Sequence, residues 1–455
     1  MLSRKNISSV IFFIIILLLW QCKGNEEEDI RLITFKGSSV ARFLDFGTSF
    51  SRLDSLGYGS LLMRQGDFLA TDKFVISVNK DLEDTLSIHQ LDSLLFINGN
   101  LTGISIGENS PPLSFFNQLS EEKISHFKSI HFEKPIWDSL RPYLKKMALL
   151  NPDVDIVYFH EMDSVAQLNK DLLWVSKNFN PKAVLMENEA DSISFSILAK
   201  FPSLETLMIS VPKKDSGYLP HLPHLKEIIL INNSDSTFIG SDFFRENPDL
   251  RGLRIIDFNG VDIDWTSLNK LKKLKSLYIE SDSINLNAIY ENHPLLEFLH
   301  LGIYNQEVFN SGIFKKNKLK WLSLYPADDP FMGQKPKVFQ DSFPELEYLE
   351  FENNDSLLDY SNFKNLKTLK YLIVSGEVGL DSTLHNLDHL RYLSLSDDFL
   401  KDSVNVVKVK RALPNTIITP NSGACLGSGW LLLIIPLAGL WFYFLKPKKN
   451  IGVND

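Results

Sequence analysis

The sequence predicts an α/β fold, an elongated solenoid of short repeated units in which a helical or turn segment precedes a parallel strand. A leucine phrase recurs along the chain at intervals of 21 to 27 residues. Apolar segments flanked by basic residues occupy both ends of the 455-residue chain. The two cysteines, Cys22 and Cys425, lie beside those segments, so the region between them can form no internal disulfide.

The chain begins with the features of an export signal. Arg4 and Lys5 precede an apolar run, residues 10–20, which is too short to span a bilayer as a helix but suits the core of a signal peptide. Residues 1–22 are therefore predicted to be a signal peptide, and the acidic residues 23–30 are predicted to be a short tether.

The junction at Cys22 resembles a bacterial lipoprotein signal. In that family a cysteine that follows the apolar core is lipidated and becomes the new N-terminus. The sequence departs from the family at Gln21, where a small residue is preferred. The resemblance implies lipidation of Cys22, with ordinary cleavage nearby or an uncleaved anchor as the alternatives.

The C-terminal end combines a small-residue motif, residues 421–429, an apolar segment, residues 430–445, and a basic tail, residues 446–455. The apolar segment is predicted to be a transmembrane helix whose following lysines stay on the cytoplasmic side. The same arrangement resembles bacterial C-terminal sorting signals of the sortase-like class, which implies processing at or near Cys425. A transamidated lipid anchor is disfavoured because such tails end in apolar residues.

Charge and cysteine usage narrow the possible partners and compartments. The formal charge of −9 argues against nucleic acid, because phosphate binding requires a basic face. Extracellular repeat proteins of animals and plants usually carry disulfide-stapled caps, so a cysteine-free central region favours a bacterial envelope. The chain is thus predicted to be anchored at both termini, with its bulk outside the cytoplasm.

The leucine phrase is Leu-x-x-Leu-x-Leu, in which the spacing changes from three residues, as in a short helix or turn, to two, as in a strand. Nine clear copies begin at Leu204, Leu225, Leu250, Leu274, Leu296, Leu319, Leu346, Leu369 and Leu390. A degenerate copy begins at Leu413, and weaker copies begin at Leu91, Phe127, Val157 and Val184. About fourteen rungs are therefore predicted over residues 85–420.

This pattern resembles the leucine-rich repeat family. The family implies a horseshoe whose parallel strands line the concave face, with short helices or turns outside. Family repeats place Asn or Cys eight residues after the first leucine, whereas only Asn233 and Asn354 match here, so looser turns are expected. Residues 31–84 lack the phrase and are predicted to cap the first rung, with strands at residues 32–35, 61–63 and 74–78.

In each predicted strand the leucines point into the core and the intervening residues point to the concave face. One outward column ends in five successive aromatic residues, Phe298, Trp321, Tyr348, Tyr371 and Tyr392, and the next contains Tyr278 and His300. Exposed aromatic side chains give a ligand a large contact area with polar tips. These seven residues are predicted to bind the ligand, and stacking within the sheet is the alternative.

No sequence motif predicts chemistry. The chain has no phosphate-binding glycine loop, serine elbow or zinc-protease motif, so no catalytic residue, cofactor or metal site is expected. A charged column of mixed sign at the start of each strand is interpreted as a solvated edge rather than a docking site. The predicted function is non-enzymatic binding of a protein or glycan ligand. The alternatives are a structural envelope spacer and an enzyme hidden in residues 31–200.

Overall fold

The computed structural model describes seven strands between residues 28 and 97, and then residues 100–420 with gaps. The gaps are residues 108–109, 161, 163, 188–192, 212–217, 233–237, 258–261, 282–288, 290–292, 304–317, 327–342, 354–362, 364–365 and 377–381. The predicted signal peptide, residues 1–22, and the C-terminal segments, residues 421–455, lie outside the described residues. Cys22 and Cys425 therefore lie outside them too, as do most of the turns expected to be loose.

The repeat region forms one parallel sheet in which each strand pairs with the next along the chain. Its strands are Asn100–Ile106, Ser129–Phe132, Ile156–His160, Ala183–Glu187, Thr206–Ser210, Glu227–Asn232, Gly252–Asp257, Ser276–Ser281, Phe298–Ile303, Trp321–Pro326, Tyr348–Asn353, Tyr371–Gly376, Tyr392–Leu395 and Ile417–Pro420. A separate short parallel pair joins Phe238–Ile239 to Asp262–Ile263. Every predicted rung from Phe127 onward contains one of these strands.

Antiparallel strands continue the same sheet beyond its first parallel strand. They are Glu28–Thr34, Val40–Leu44, Leu62–Gln65, Phe68–Ala70, Val75–Ser77, Thr85–Leu91 and Leu94–Ile97. The three strands predicted from apolar runs in residues 31–84 are confirmed, since observed strands overlap each of them. The last antiparallel strand pairs with Asn100–Ile106 and so covers the edge of the parallel region.

The rung predicted at Leu91 is wrong. Thr85–Leu91 and Leu94–Ile97 form an antiparallel hairpin instead of a helical segment followed by a parallel strand. Two residues separate these strands, a length at which a chain reverses direction tightly. Leu91 and Leu94, at the two ends of this turn, have the spacing of the repeat phrase although no repeat forms there.

Helices and turns lie on the other side of the chain's core from the concave face. The helices are Leu113–Gln118, Glu121–Ser125, Arg141–Leu150, Val165–Asn178, Phe195–Leu198, Asp397–Lys401 and Ser403–Ala412, and the 3₁₀ segments are Trp265–Lys270 and Ser382–Leu387. In the part of the chain that the structure describes, no helix is both long and apolar enough to cross a bilayer. The transmembrane helix predicted at residues 430–445 lies outside that part.

Leucine side chains of successive rungs form one continuous core between the sheet and the convex segments. The first leucines of the phrase are buried, as are the convex residues that precede them, for example Leu268 and Leu271 before Leu274. Near the N-terminal end, the buried carboxylate of Asp171 accepts hydrogen bonds from the Arg141 side chain and the Ile136 backbone, which joins neighbouring convex segments. The architecture is that of a leucine-rich repeat solenoid.

Polar side chains on the convex side join each turn to the rung before it. We call these contacts inter-rung bonds, and in each of them a side chain binds a backbone carbonyl 22 to 27 residues earlier. Examples are Asn247 with Pro220, His293 with Leu271, Thr368 with Leu346, His389 with Leu366, and Thr416 with Leu390. These bonds join successive rungs, and the Leu271 and Leu366 carbonyls also accept a backbone N–H of their own turn.

Candidate functional site

The outward columns of the concave face are aligned as the sequence predicts. We define the first column as Thr206, Glu227, Gly252, Ser276, Phe298, Trp321, Tyr348, Tyr371 and Tyr392, each directly opposite the next. The second column is Met208, Ile229, Arg254, Tyr278, His300, Ser323, Glu350, Ile373 and Ser394, aligned in the same way. The predicted register therefore holds over nine rungs.

The aromatic side chains of these columns are buried, which corrects the expectation that they form an open surface. Trp321 is 1% exposed and Tyr348 is fully buried, and the other five predicted ligand-binding residues, Phe298, Tyr371, Tyr392, Tyr278 and His300, are buried as well. Strand alternation decides which side of the sheet a side chain occupies, but not what packs against it. Their role in binding a ligand stays a prediction.

Ring stacking links neighbouring rungs of the first column. The rings of Trp321 and Tyr348 are nearly parallel, with centres 3.6 Å apart, and Phe298 packs at an angle against Trp321 with centres 5.3 Å apart. Contacts between aromatic rings stabilise a fold beyond the contribution of the apolar area that the rings bury. This geometry supports the alternative in which the aromatic residues stabilise the sheet.

The second column carries a buried chain of hydrogen bonds. The ring of His300 stacks on Tyr278 with centres 3.8 Å apart, and its Nδ1 lies 3.0 Å from the Ser323 Oγ. The hydroxyl groups of Ser323 and Tyr348 both donate to Oε2 of Glu350, at 3.2 and 2.8 Å. Because the Ser323 hydroxyl donates its hydrogen bond to Glu350, its oxygen is left to accept a hydrogen bond from the His300 Nδ1.

Two charged residues are the least buried members of the columns. Glu227 and Arg254 are half-buried, whereas every other residue of the two columns, all of which the structure describes, is buried. They lie on adjacent strands, beside Gly252. A Cβ atom on Gly252 would lie 2.8 Å from the Glu227 Cγ, so glycine leaves the space in which the glutamate side chain crosses the strand.

Arg254 combines an aromatic contact with an unsatisfied donor. Its guanidinium carbon lies 4.2 Å from the ring centre of Tyr278. Its Nε is buried and has no hydrogen-bond partner among the described residues. We define the Arg254 site as Glu227, Gly252, Arg254, Ile256 and Tyr278. The sequence offered a signal for this site, because Arg254 is the one cationic residue of the two columns.

The charged column at the strand starts forms a ladder of ion pairs. Lys226 pairs with Glu205 at 2.6 Å, Lys275 and Lys320 pair with Glu297 at 3.2 and 3.1 Å, and Lys370 pairs with Glu347 at 2.8 Å. Burial of Glu297 acts to raise its pKa, but hydrogen bonds from the two lysines outweigh burial and lower it. These half-exposed charges neutralise one another, which supports the interpretation as a solvated edge.

A polar cluster at the N-terminal end of the concave face was not foreseen. The Ser105 Oγ lies 3.3 Å from the His131 Nδ1 and donates to the Glu133 Oε1 at 2.5 Å, and His131 stacks on Tyr158. A serine nucleophile would have to give its proton to the histidine. Here the Ser105 hydroxyl donates its hydrogen bond to the Glu133 carboxylate instead, so the histidine is not placed to accept the serine proton. The described residues contain no group of metal-ligating side chains either.

Comparisons with known proteins find weak structural likeness. No family model and no curated protein matches the sequence. An internalin from Listeria monocytogenes aligns at 15% identity and a TM-score of 0.38, covering 67% of this chain and 85% of that one. A leucine-rich repeat protein from Leptospira interrogans aligns at 14% identity and 0.32, covering 68% and 98%. The TLR13 structure with ssRNA13 aligns at 13% and 0.33, covering 71% and 55%.

The fold assignment does not depend on these alignments. It rests on the parallel register and the continuous leucine core, both of which belong to this chain.

Proposed function

We propose that the chain is a non-enzymatic envelope protein that binds an anionic group of a protein or glycan ligand at the Arg254 site. The observation that carries the proposal is the half-buried guanidinium of Arg254, whose buried Nε lacks a partner among the described residues. An unpaired buried donor costs about 1–3 kcal/mol. A ligand atom that accepts this hydrogen bond recovers that free energy.

The geometry of the Arg254 guanidinium suits a carboxylate. Stacking on Tyr278 fixes the plane of the guanidinium, and a fixed planar fork recognises a carboxylate through two parallel hydrogen bonds. His300 stacks on the other side of Tyr278 and holds that ring in place. In this proposal Arg254 contacts the ligand, Tyr278 and His300 hold the guanidinium in place, and Phe298, Trp321, Tyr348, Tyr371 and Tyr392 form a rigid wall beside it.

The proposed location rests on the two ends of the sequence. An export signal ending at Cys22 and an apolar segment at residues 430–445 would hold the solenoid outside the cytoplasm, attached to a membrane. A ligand of the concave face would then be met in the envelope or at the cell surface.

The test screens the full-length chain against a displayed random-peptide library and an array of acidic and neutral glycans. Binders of the unaltered chain are then measured against Arg254→Gln and against the matched control Arg251→Gln. Arg251 directly precedes Gly252 but is exposed and belongs to neither column. Its substitution therefore removes the same charge without changing the guanidinium of the site. Loss of a charge-assisted hydrogen bond predicts a fall in affinity of about 10- to 100-fold for Arg254→Gln.

The expected binders contain a carboxylate and keep their affinity for Arg251→Gln within about twofold. Thermal unfolding of both variants checks that the solenoid is intact. Binders that lack acidic groups, or that tolerate Arg254→Gln, would contradict the proposed site.

Burial of the aromatic column favours a second candidate function, a structural envelope spacer or self-assembling surface protein. In that case the rings serve only to stiffen the sheet, and the solenoid packs against copies of itself. Sedimentation velocity over a hundredfold range of concentration separates the two functions. A detergent-solubilised chain that stays monomeric counts against self-assembly, and reversible association counts for it.

A further inference from the structure

The last helix of the solenoid, Ser403–Ala412, exposes apolar side chains. Asp402 caps its N-terminus by accepting a hydrogen bond from the Val404 backbone N–H at 2.9 Å. Val409 is buried and fixes which face of the helix meets the core. The opposite face carries Val404 and Val407, which are 55% and 54% exposed. The two valines are one turn apart, so their side chains form one small apolar surface on this face.

Positive charge surrounds these two valines. Lys408, Lys410 and Arg411 are all exposed, and the helix itself contains no acidic residue. Two neighbouring acids are already engaged, because Asp402 caps the helix and Asp398 pairs with Lys401 at 2.6 Å. The exposed face is therefore apolar at its centre and basic at its sides.

This helix lies at the end of the solenoid that is closest in sequence to the predicted transmembrane segment. The final strand, Ile417–Pro420, follows it, and residues 421–429 connect that strand to residues 430–445. A linker of nine residues spans at most about 30 Å when extended. Such a short connection keeps the last rung near the membrane surface.

We propose that the exposed face of Ser403–Ala412 lies on the surface of an anionic lipid bilayer. Valine side chains at the centre enter the boundary between headgroups and acyl chains, while Lys408, Lys410 and Arg411 contact lipid phosphates, as in amphipathic helices that lie in the interface. This contact fixes the solenoid's orientation relative to the membrane. The proposal rests on the membrane attachment that forms part of the proposed function.

The test uses the full chain in vesicles of phosphatidylcholine with or without phosphatidylglycerol. Cys22→Ser and Cys425→Ser remove the native thiols, and Val407→Cys then carries a single nitroxide label. Leu149→Cys is the matched control, because Leu149 is 77% exposed at the end of a convex helix near the other end of the solenoid. Electron paramagnetic resonance measures how accessible each label is to lipid-soluble oxygen and to a water-soluble nickel chelate.

The expected result is a ratio of oxygen to nickel access several-fold higher at position 407 than at position 149 in anionic vesicles. Lys408→Glu combined with Lys410→Glu should bring the ratio at position 407 down to that of the control. A label at position 407 that stays water-accessible on both kinds of vesicle overturns the proposal and leaves an acidic protein as the partner of this face.

Flotation of the vesicles separates the two possible failures. A chain that floats while the label at position 407 remains in water loses only the helix proposal. Because Cys22→Ser removes the predicted lipid anchor, a chain that does not float overturns both the attachment through residues 430–445 and the helix contact. In neither case does the result bear on the Arg254 site.

Discussion

Single polar residues on the convex side replace the asparagine ladder that the sequence lacks on the strand side. Asn247 and His293 occupy equivalent positions, each three residues before the first leucine of its rung and each followed by proline. Both side chains bind a carbonyl of the preceding rung, at 2.9 and 3.1 Å. His293 thus has a structural role.

His293 should make stability depend on pH. Burial lowers its pKa, with a smaller contribution from Lys272, although the hydrogen bond to Leu271 acts in the other direction. Below about pH 6.5 the unfolded chain therefore takes up a proton that the folded chain refuses. We expect the free energy of unfolding to fall by up to about 1.4 kcal/mol per pH unit as pH drops below 6.5, measured by urea titration.

His293→Asn is the control, because asparagine makes the equivalent inter-rung bond at Asn247 and does not titrate. The variant should lose this part of the pH dependence while its stability at pH 8 changes little. An unchanged slope between pH 6.5 and pH 5 in His293→Asn would assign the dependence to other groups.

At the scale of the strand, period-two alternation predicted the columns of the concave face but not their burial. Side chains of Phe298, Trp321 and Tyr348 take the predicted side of the sheet and the predicted register. Exposure depends on contacts from parts of the chain that are distant in sequence, which no local pattern encodes. The same limit applies to the Arg254 site, because the half-buried state of Arg254 among mostly buried column residues depends on the fold.

Substitution of the aromatic column should destabilise the solenoid whatever the column binds. Trp321→Ala removes a ring that is 1% exposed and stacked on Tyr348, and we expect a loss of about 3–5 kcal/mol in the free energy of unfolding. Tyr218→Ala is the control, because Tyr218 is 51% exposed and should cost about 1 kcal/mol or less.

Equal losses in these two urea titrations would show that the rings of the column contribute no more than a surface aromatic does. A variant with serine in place of Trp321, Tyr348 and Tyr371 would test ligand binding only if it stayed folded. The expected instability therefore makes Arg254→Gln the better probe of function.

The repeat region could be predicted from the sequence because every rung has the same requirement, a leucine wherever the strand or the convex turn meets the core. The pairing of the antiparallel strands before residue 100 could not be predicted in the same way. Leu91 and Leu94 bracket a tight hairpin, and their spacing cannot be distinguished from the start of a repeat without knowing the direction of the next strand. Strand existence was predicted there, and strand pairing was not.

For the whole molecule, the pairing of each rung with its two neighbours predicts uneven stability. Local unfolding should begin at the ends of a solenoid and reach its centre last. Hydrogen exchange measured by mass spectrometry should show slowest exchange in the central strands and faster exchange in Tyr392–Leu395 and Ile417–Pro420. Uniform exchange across all strands would indicate a single cooperative unit instead.

Two leucine substitutions extend this test. Leu253 and Leu393 are both buried, one in a central rung and one near the C-terminal end. Leu393→Ala should speed exchange only in the last rungs, whereas Leu253→Ala should speed it on both sides of its strand by disrupting the middle of the array. Identical exchange patterns in the two variants would contradict the nearest-neighbour description.

Hydrogen bonds between parallel strands are directed along the long axis of this solenoid, because successive strands are stacked along it. A pulling force on the two ends would load these bonds in series, so the weakest rung yields while the others stay folded. Each repeat of 21 to 27 residues would release about 70 to 90 Å of extended chain. The register that aligns the concave face thus also predicts that the solenoid extends one repeat at a time under force.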